Sequence, residues 1–128
     1  YGKLYNYYAV IDSRGLAPLG WHIPRAAEWD ELSSALGGEE VAGAKLKSKT
    51  GWNMVSGTDE TGFTALPAGY CTEKGNANYR GQITSFWSDD EGVDVIFGLL
   101  YHLSKDDGKL VKVNLLKEAG ASVRCVKN

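Results

Sequence analysis

Two histidines, two cysteines and one acidic run are the groups in this chain of 128 residues that could do chemistry. Nucleophilic catalysis of the Ser-His-Asp kind would need His22 or His102 beside an activated serine, and neither sits in a motif that puts one there. His22 stands in Trp21-His22-Ile23-Pro24, where packing is the favoured role, and His102 falls in a strand of alternating character as a half-exposed side chain. Cys71 lies beside a loop and Cys125 inside a terminal strand, without the local spacing of a metal-ligand motif. A bridge between Cys71 and Cys125 would close a long loop and stabilise by about 4 kcal/mol on the chain-entropy model; two buried thiols are the alternative. Asp89, Asp90, Glu91 and Asp94 offer hard oxygen ligands that suit calcium, but their spacing fits no helix-loop-helix site, and a solvated acidic turn is the plainer reading. The stretch from Gly38 to Lys45 has the glycines of a phosphate-binding loop, with Ala44 where the lysine is needed. These residues predict no catalytic group and no metal centre or other cofactor, with calcium as the one cation the acidic run could hold.

What remains is a surface for recognition. Asn76, Asn78, Tyr79, Arg80, Gln82, Trp87, Asp89 and Asp90 mix aromatic plates with adaptable hydrogen-bonding groups, the chemistry that paratopes use. With Tyr101 they define a predicted ligand-binding face between Gly75 and Tyr101 for a protein or a glycan. Trp87 taken alone reads as core. A formal net charge of −2, with lysine and arginine scattered, gives no field for nucleic acid. The apolar stretch from Val93 to Leu103 is broken by Asp94, Gly98 and His102 and is too short to span a bilayer. Met54 is the only methionine, so a chain beginning at Tyr1 reads as processed or cut from something longer, a single domain over residues 1–128 that lacks an N-terminal segment.

The elements that must carry these groups are short. Pro24 has its φ preset and lacks the N–H that a first helical turn leaves orphaned, so a helix is predicted from Arg25 to Leu36. Trp29, Leu32 and Leu36 give it one apolar face, and Gly37-Gly38 ends it. A second helix is predicted from Glu39 to Leu46, acidic at its start and basic at its end as the helix dipole favours. Between Gly51 and Gly81 the pattern predicts one strand, Phe63 to Tyr70, inside a long looped region. Ile96 to Ser104 and Leu110 to Leu116 flank Asp107-Gly108, a strong hairpin signal, and Val111, Val113 and Leu115 alternate with Lys112 and Asn114. Lys3 to Val10 and Ser122 to Val126 are strand-like and are expected to pair, tying down both ends.

Several blocks, in order along almost the whole chain, carry a resemblance. They include Tyr1-Gly2-Lys3-Leu4-Tyr5, Pro18-Leu19-Gly20-Trp21-His22-Ile23-Pro24 with Glu28-Trp29, Gly51-Trp52, Ala65-Leu66-Pro67-Ala68-Gly69-Tyr70, Phe86-Trp87-Ser88 and Ser122-Val123-Arg124-Cys125-Val126. Together they resemble the Fibrobacter succinogenes major paralogous domain, and the Pro, Glu-Trp and terminal elements are also similar to the formylglycine-generating enzyme group. The resemblance implies an α+β, C-type-lectin-like fold: two helices packed on a twisted antiparallel sheet, with long irregular loops. It further implies an exported or cell-surface bacterial module, hence an extracytoplasmic location. Lectin-like relatives of this branch include variable proteins of diversity-generating retroelements, so the Gly75 to Tyr101 face is a candidate for diversification.

The departures from the family pattern matter too. Ser, Thr or Asp is usual where this chain has Arg25; such a residue would cap the helix and form a reciprocal box with Glu28, worth about 1 kcal/mol, and Arg25 cannot accept that bond. The cysteine that the family tends to place before the Pro-x-Gly-Trp block is replaced by Ala17, and Cys71 stands where arginine is common; if that family cysteine partners the one in the terminal Arg-Cys block, the crosslink is absent here. Copper-dependent oxidases of the formylglycine-generating type hold their metal with paired cysteines, a pairing not recognisable here. The sugar-binding triplets of calcium-dependent lectins are missing as well. The expected function is therefore a non-catalytic recognition or adhesion module, with a copper oxidase relative and a purely architectural domain of a surface protein as the alternatives.

Overall fold

A computed structural model describes residues 1–128. In chain order the elements are α1 (Tyr7–Val10), β1 (Trp21–His22), α2 (Ala26–Ala35), α3 (Glu39–Leu46), β2 (Tyr70–Cys71), β3 (Ala77–Asn78), β4 (Ile83–Glu91), β5 (Phe97–Ser104), β6 (Val111–Leu116) and β7 (Val126–Lys127). This is an α+β arrangement with every strand-to-strand pairing antiparallel: a three-stranded sheet β4-β5-β6 and two short ribbons, β1-β7 and β2-β3.

Helix α2 forms where its glycine stop and proline start predict, with Arg25 as N-cap and Leu36 as C-cap. Half of the reciprocal box survives, because Glu28 Oε2 accepts the Arg25 amide at 2.9 Å. The cap that Arg25 cannot supply comes from elsewhere: Asp90 Oδ2, on β4, accepts the Ala26 amide at 2.6 Å. A carboxylate at a helix N-terminus also suits the dipole. The Asp107-Gly108 hairpin forms between β5 and β6, with Asp107 Oδ1 accepting the Lys109 amide at 2.9 Å.

The sheet is buried on both faces, which is what its longest strand records. Adjacent residues of a strand point to opposite sides. Phe86 therefore enters the core under α2 and α3, stacked 5.7 Å from Trp29, which also stacks 5.2 Å from Tyr101. Trp87 enters a second core with Tyr7, Val10, Ile23 and Leu100. Tyr7 meets Trp87 edge-on at 5.5 Å, and its hydroxyl is pushed up to about 12 by burial and the nearby Asp89, Glu91 and Asp90 carboxylates. Gly98 makes that seat possible: a Cβ there would lie 2.5 Å from the Tyr7 ring.

One buried charge knits the long connection to this framework. Lys47 is fully enclosed, and its ammonium donates to the carbonyls of Val55, Ser104 and Asp107 at 2.7, 3.0 and 2.8 Å. All three protons are used, as a buried ammonium requires. It also lies 4.8 Å from the Trp52 ring centroid.

Four expectations are corrected. Lys3 to Val10 is no strand: Asn6 caps the single turn of α1, accepting the Ala9 amide at 3.0 Å, and only Tyr5 bridges, to Ala121. The ends are tied down, but the C-terminal β7 pairs with β1, at Trp21 to Lys127 and His22 to Val126. Phe63 to Gly69 is irregular, bridging at Ala65 to Lys47 and at Gly69 to Thr84, and only Tyr70 enters a strand, β2, because glycine, proline and positive-φ Thr64 prevent a continuous ladder. The acidic run is a turn only at Asp94, whose carbonyl accepts the Phe97 amide at 3.0 Å, since Asp89, Asp90 and Glu91 finish strand β4.

Candidate functional site

The predicted face does not hold together as one surface. Trp87 is 0% and Tyr101 2% exposed, so neither ring is displayed. Both were drawn into cores because β4 and β5 have no wet face at their centre. The Tyr101 hydroxyl instead lies 2.7 Å from Asp30 and 2.9 Å from the Ala26 carbonyl, binding sheet to helix. Asn76, Asn78, Tyr79 and Arg80 are exposed on and around β3, just ahead of β4, whereas Asp89 and Asp90 stand near the far end of β4. At about 3.3 Å per residue, roughly 20 Å of strand separates the two groups.

The group around Tyr79 is the one that forms a concave site. Tyr79 is a non-glycine residue at φ +61° and is 51% exposed. Its carbonyl accepts the amides of Gln82 and Ile83 at 3.0 and 3.2 Å, and its ring stacks on Tyr70 at 5.6 Å and 11°. Gly69 lets the backbone pass beneath, because a Cβ there would lie 2.2 Å from the Asn78 carbonyl oxygen. A bulky residue in the left-handed region persists only where its surroundings fix it, and such positions gather at ligand sites.

Residues far away in sequence complete the site. The segment Gly120-Ala121-Ser122 bridges Cys71, Tyr5 and Phe86 in turn, bringing the N-terminal strand-like run, the β2-β3 ribbon and the C-terminal run side by side. Tyr1 consequently lies against Arg80, whose guanidinium is 4.3 Å from the ring centroid. A cleft of about 540 Å³ opens between Tyr1, Leu4, Ala77, Asn78, Tyr79 and Arg80. A second, of about 280 Å³, shares Tyr1 and Gly2 and is lined also by Lys3, Tyr5, Leu66 and Arg124. Tyr1, Lys3 and Arg124 were not among the predicted site residues, since no local spacing joins them to Tyr79.

The other chemical groups are engaged separately. Asp90 caps α2, and Glu91 Oε1 pairs with Lys117 at 2.8 Å. Asp94 accepts the amide of its neighbour Val95, and Asp89 is exposed, its carboxyl pushed up by partial burial against the pull of Arg25. These four carboxylates do not converge, and no group of three or more acidic, histidine or cysteine side chains could hold a metal. Cys71 and Cys125 are free thiols. Cys71 Cβ packs over Gly120, where an added Cβ would lie 3.0 Å away, while Cys125 packs on the second core. Burial pushes the Cys125 thiol up.

Both histidines are bonded. His22 lies 2.8 Å from Glu28 Oε1 through Nε2 and 2.6 Å from Asn128 Oδ1 through Nδ1, and these bonds raise its pKa. His102 Nδ1 lies 3.0 Å from Ser85 Oγ as a cross-strand pair, and burial lowers its pKa. The pair opens on an apolar cleft of about 150 Å³ between Tyr70, Ile83, Leu100 and Val113. No carboxylate is bonded to its Nε2.

An α+β domain with a two-sided antiparallel sheet and an aromatic, cation-lined groove at one edge is thus the class of protein defined. The family model described as the Fibrobacter succinogenes major domain matches residues 1–127, and the chain belongs to that family. No curated protein and no solved structure matches the chain significantly. No helix is long and apolar enough to cross a membrane.

Proposed function

We propose that this domain is a non-catalytic recognition module, working outside the cytoplasm, that binds a glycan or protein ligand in the groove between Tyr1 and Tyr79. The observation that carries the reading is Tyr79: a half-exposed ring locked in a backbone conformation unfavourable to it, stacked on Tyr70 and lining one cleft with Tyr1. Rigid aromatic plates give contact area at little entropic cost, and Asn78 and Arg80 beside them supply donors. The scaffold is read as C-type-lectin-like, on the support of two helices over an antiparallel sheet, joined terminal ribbons and long irregular connections. In that reading the irregular edge carries the residues free to vary, and diversification would concentrate there.

The test is a screen of the domain against glycan and surface-protein arrays, followed by titration of any ligand against Tyr79→Gly. Glycine is at ease at φ +61°, so that variant removes the ring and keeps the backbone. Saturable binding that Tyr79→Gly abolishes supports the groove. Binding indifferent to it places recognition elsewhere, and the absence of any saturable ligand leaves an architectural role.

A further inference from the structure

The groove has a charge pattern that the whole chain lacks. With 14 lysines and arginines against 16 aspartates and glutamates, the protein is slightly acidic. Six of the fourteen lysines and arginines are neutralised locally, Arg14 by Asp12, Lys45 by Glu60, Lys105 by Asp106, Lys109 by Glu40, Lys112 by Asp30 and Lys117 by Glu91, and Lys47 is bonded to carbonyls in the interior. Of the seven cations that remain, Lys3, Arg80 and Arg124 are the ones gathered at the clefts. None of the three belongs to an ion pair, and all three line the two joined clefts, in which no aspartate or glutamate appears. Arg80 lies on the Tyr1 ring and Arg124 on the Phe63 ring, at 4.3 and 4.5 Å from the centroids. A guanidinium spread on an aromatic face is oriented yet keeps its N–H edge free to take a carboxylate in bidentate fashion.

We infer that the joined clefts take an acidic glycan, a chain of uronic-acid residues whose carboxylates meet Lys3, Arg80 and Arg124 while its sugar faces lie on Tyr1 and Tyr79; this rests on the recognition role proposed above. Three cations divided between two adjacent clefts that share Tyr1 and Gly2 match a ligand that repeats its charge along an extended chain. Tyr1 and Tyr79, 49% and 51% exposed, offer flat apolar plates of the kind a pyranose ring covers. An acidic peptide fits less well. The neighbouring strand edge, Ala77–Asn78, is two residues long and gives too short a ladder for strand addition.

The experiment is calorimetric titration of the full chain with a short oligogalacturonate, its carboxyl-methylated ester and polyglutamate, at about 20 mM and about 200 mM salt. The acid form should bind, more weakly at the higher salt, and the ester at least tenfold more weakly. Arg80→Gln and Arg124→Gln should each weaken binding about fivefold, as expected for one partly exposed charge pair. Lys127→Gln, on the exposed ribbon β7, should leave it unchanged. Thermal melts should fall by a few degrees at most, because each arginine gives the fold one exposed cation–π contact and no hydrogen bond or ion pair. Equal affinity for acid and ester overturns the inference, as does an equal loss in Lys127→Gln or tighter binding of polyglutamate. A neutral glycan bound in a Tyr79-dependent manner, with the uronate ignored, sinks the inference and spares the recognition role; no saturable ligand of any kind sinks both.

Discussion

Asp90 Oδ2 accepts the Ala26 amide at 2.6 Å, so the first turn of helix α2 is capped by the end of strand β4 and not by the residue preceding the helix. The bond joins residues far apart in sequence. It makes Asp90 a structural group, although its type and place in an acidic run suggest ligand binding. Asp90→Ala should lower stability by about 1 kcal/mol in urea denaturation, with Asp90→Asn losing less, and should leave any binding in the Tyr79 groove intact.

Lys47 predicts a larger effect. Replacing it with methionine keeps the stem's packing and strands the carbonyls of Val55, Ser104 and Asp107, three acceptors held within 3.0 Å of one ammonium. Chemical denaturation of Lys47→Met should show a loss of about 3 kcal/mol. An unchanged midpoint would mean that water reaches those carbonyls at no cost.

The two histidines should pull stability in opposite directions with pH. Burial holds His102 below its ordinary 6.5, so the unfolded chain takes up the proton first; its contribution is complete above 6.5 and is lost as pH falls through the lowered value. His22 is raised by its bonds to Glu28 and Asn128, so its contribution is complete below 6.5 and is lost as pH rises through the raised value. In melting curves from about pH 5 to pH 8, His102→Gln should flatten the acid side and His22→Gln the alkaline side. A wild-type acid slope that persists in His102→Gln would assign it to the carboxylates.

Tyr79→Gly should cost little stability, within about 1 kcal/mol of the parent, because relief of the left-handed backbone offsets the lost stack on Tyr70. Tyr79→Ala keeps the strain and loses the ring, so it should melt below the glycine variant. The reverse order would mean that the backbone at Tyr79 is not held where the structure has it.

Denatured without reductant, the protein should titrate two thiols, since Cys71 and Cys125 are free. In the native state at pH 8, Cys125 should react with a disulfide reagent more slowly than it does once unfolded, because burial raises its pKa. A single mass 2 Da lighter and no titrating thiol would establish the bridge instead.

By itself the sequence determined the elements whose signals are local. The proline start and double-glycine stop fix α2, the charge order fixes α3, and Asp107-Gly108 fixes the β5-β6 hairpin, because each is written within a few consecutive residues. Strand β4 was not legible: with both faces buried, Thr84-Ser85-Phe86-Trp87-Ser88 shows no alternation, and its acidic end looks like a turn. The groove was half legible, through Asn76, Asn78, Tyr79 and Arg80. Tyr1, Lys3 and Arg124 join them only because three consecutive residues, Gly120 to Ser122, bridge three separate segments, and no pattern along one chain records which distant backbones will share hydrogen bonds. Tertiary structure likewise decided which polar groups serve the fold and which remain free for a ligand, since that depends on whether a hydrogen-bonding partner arrives from elsewhere, as Ala26 does for Asp90, whereas Arg80 receives the Tyr1 ring and no carboxylate.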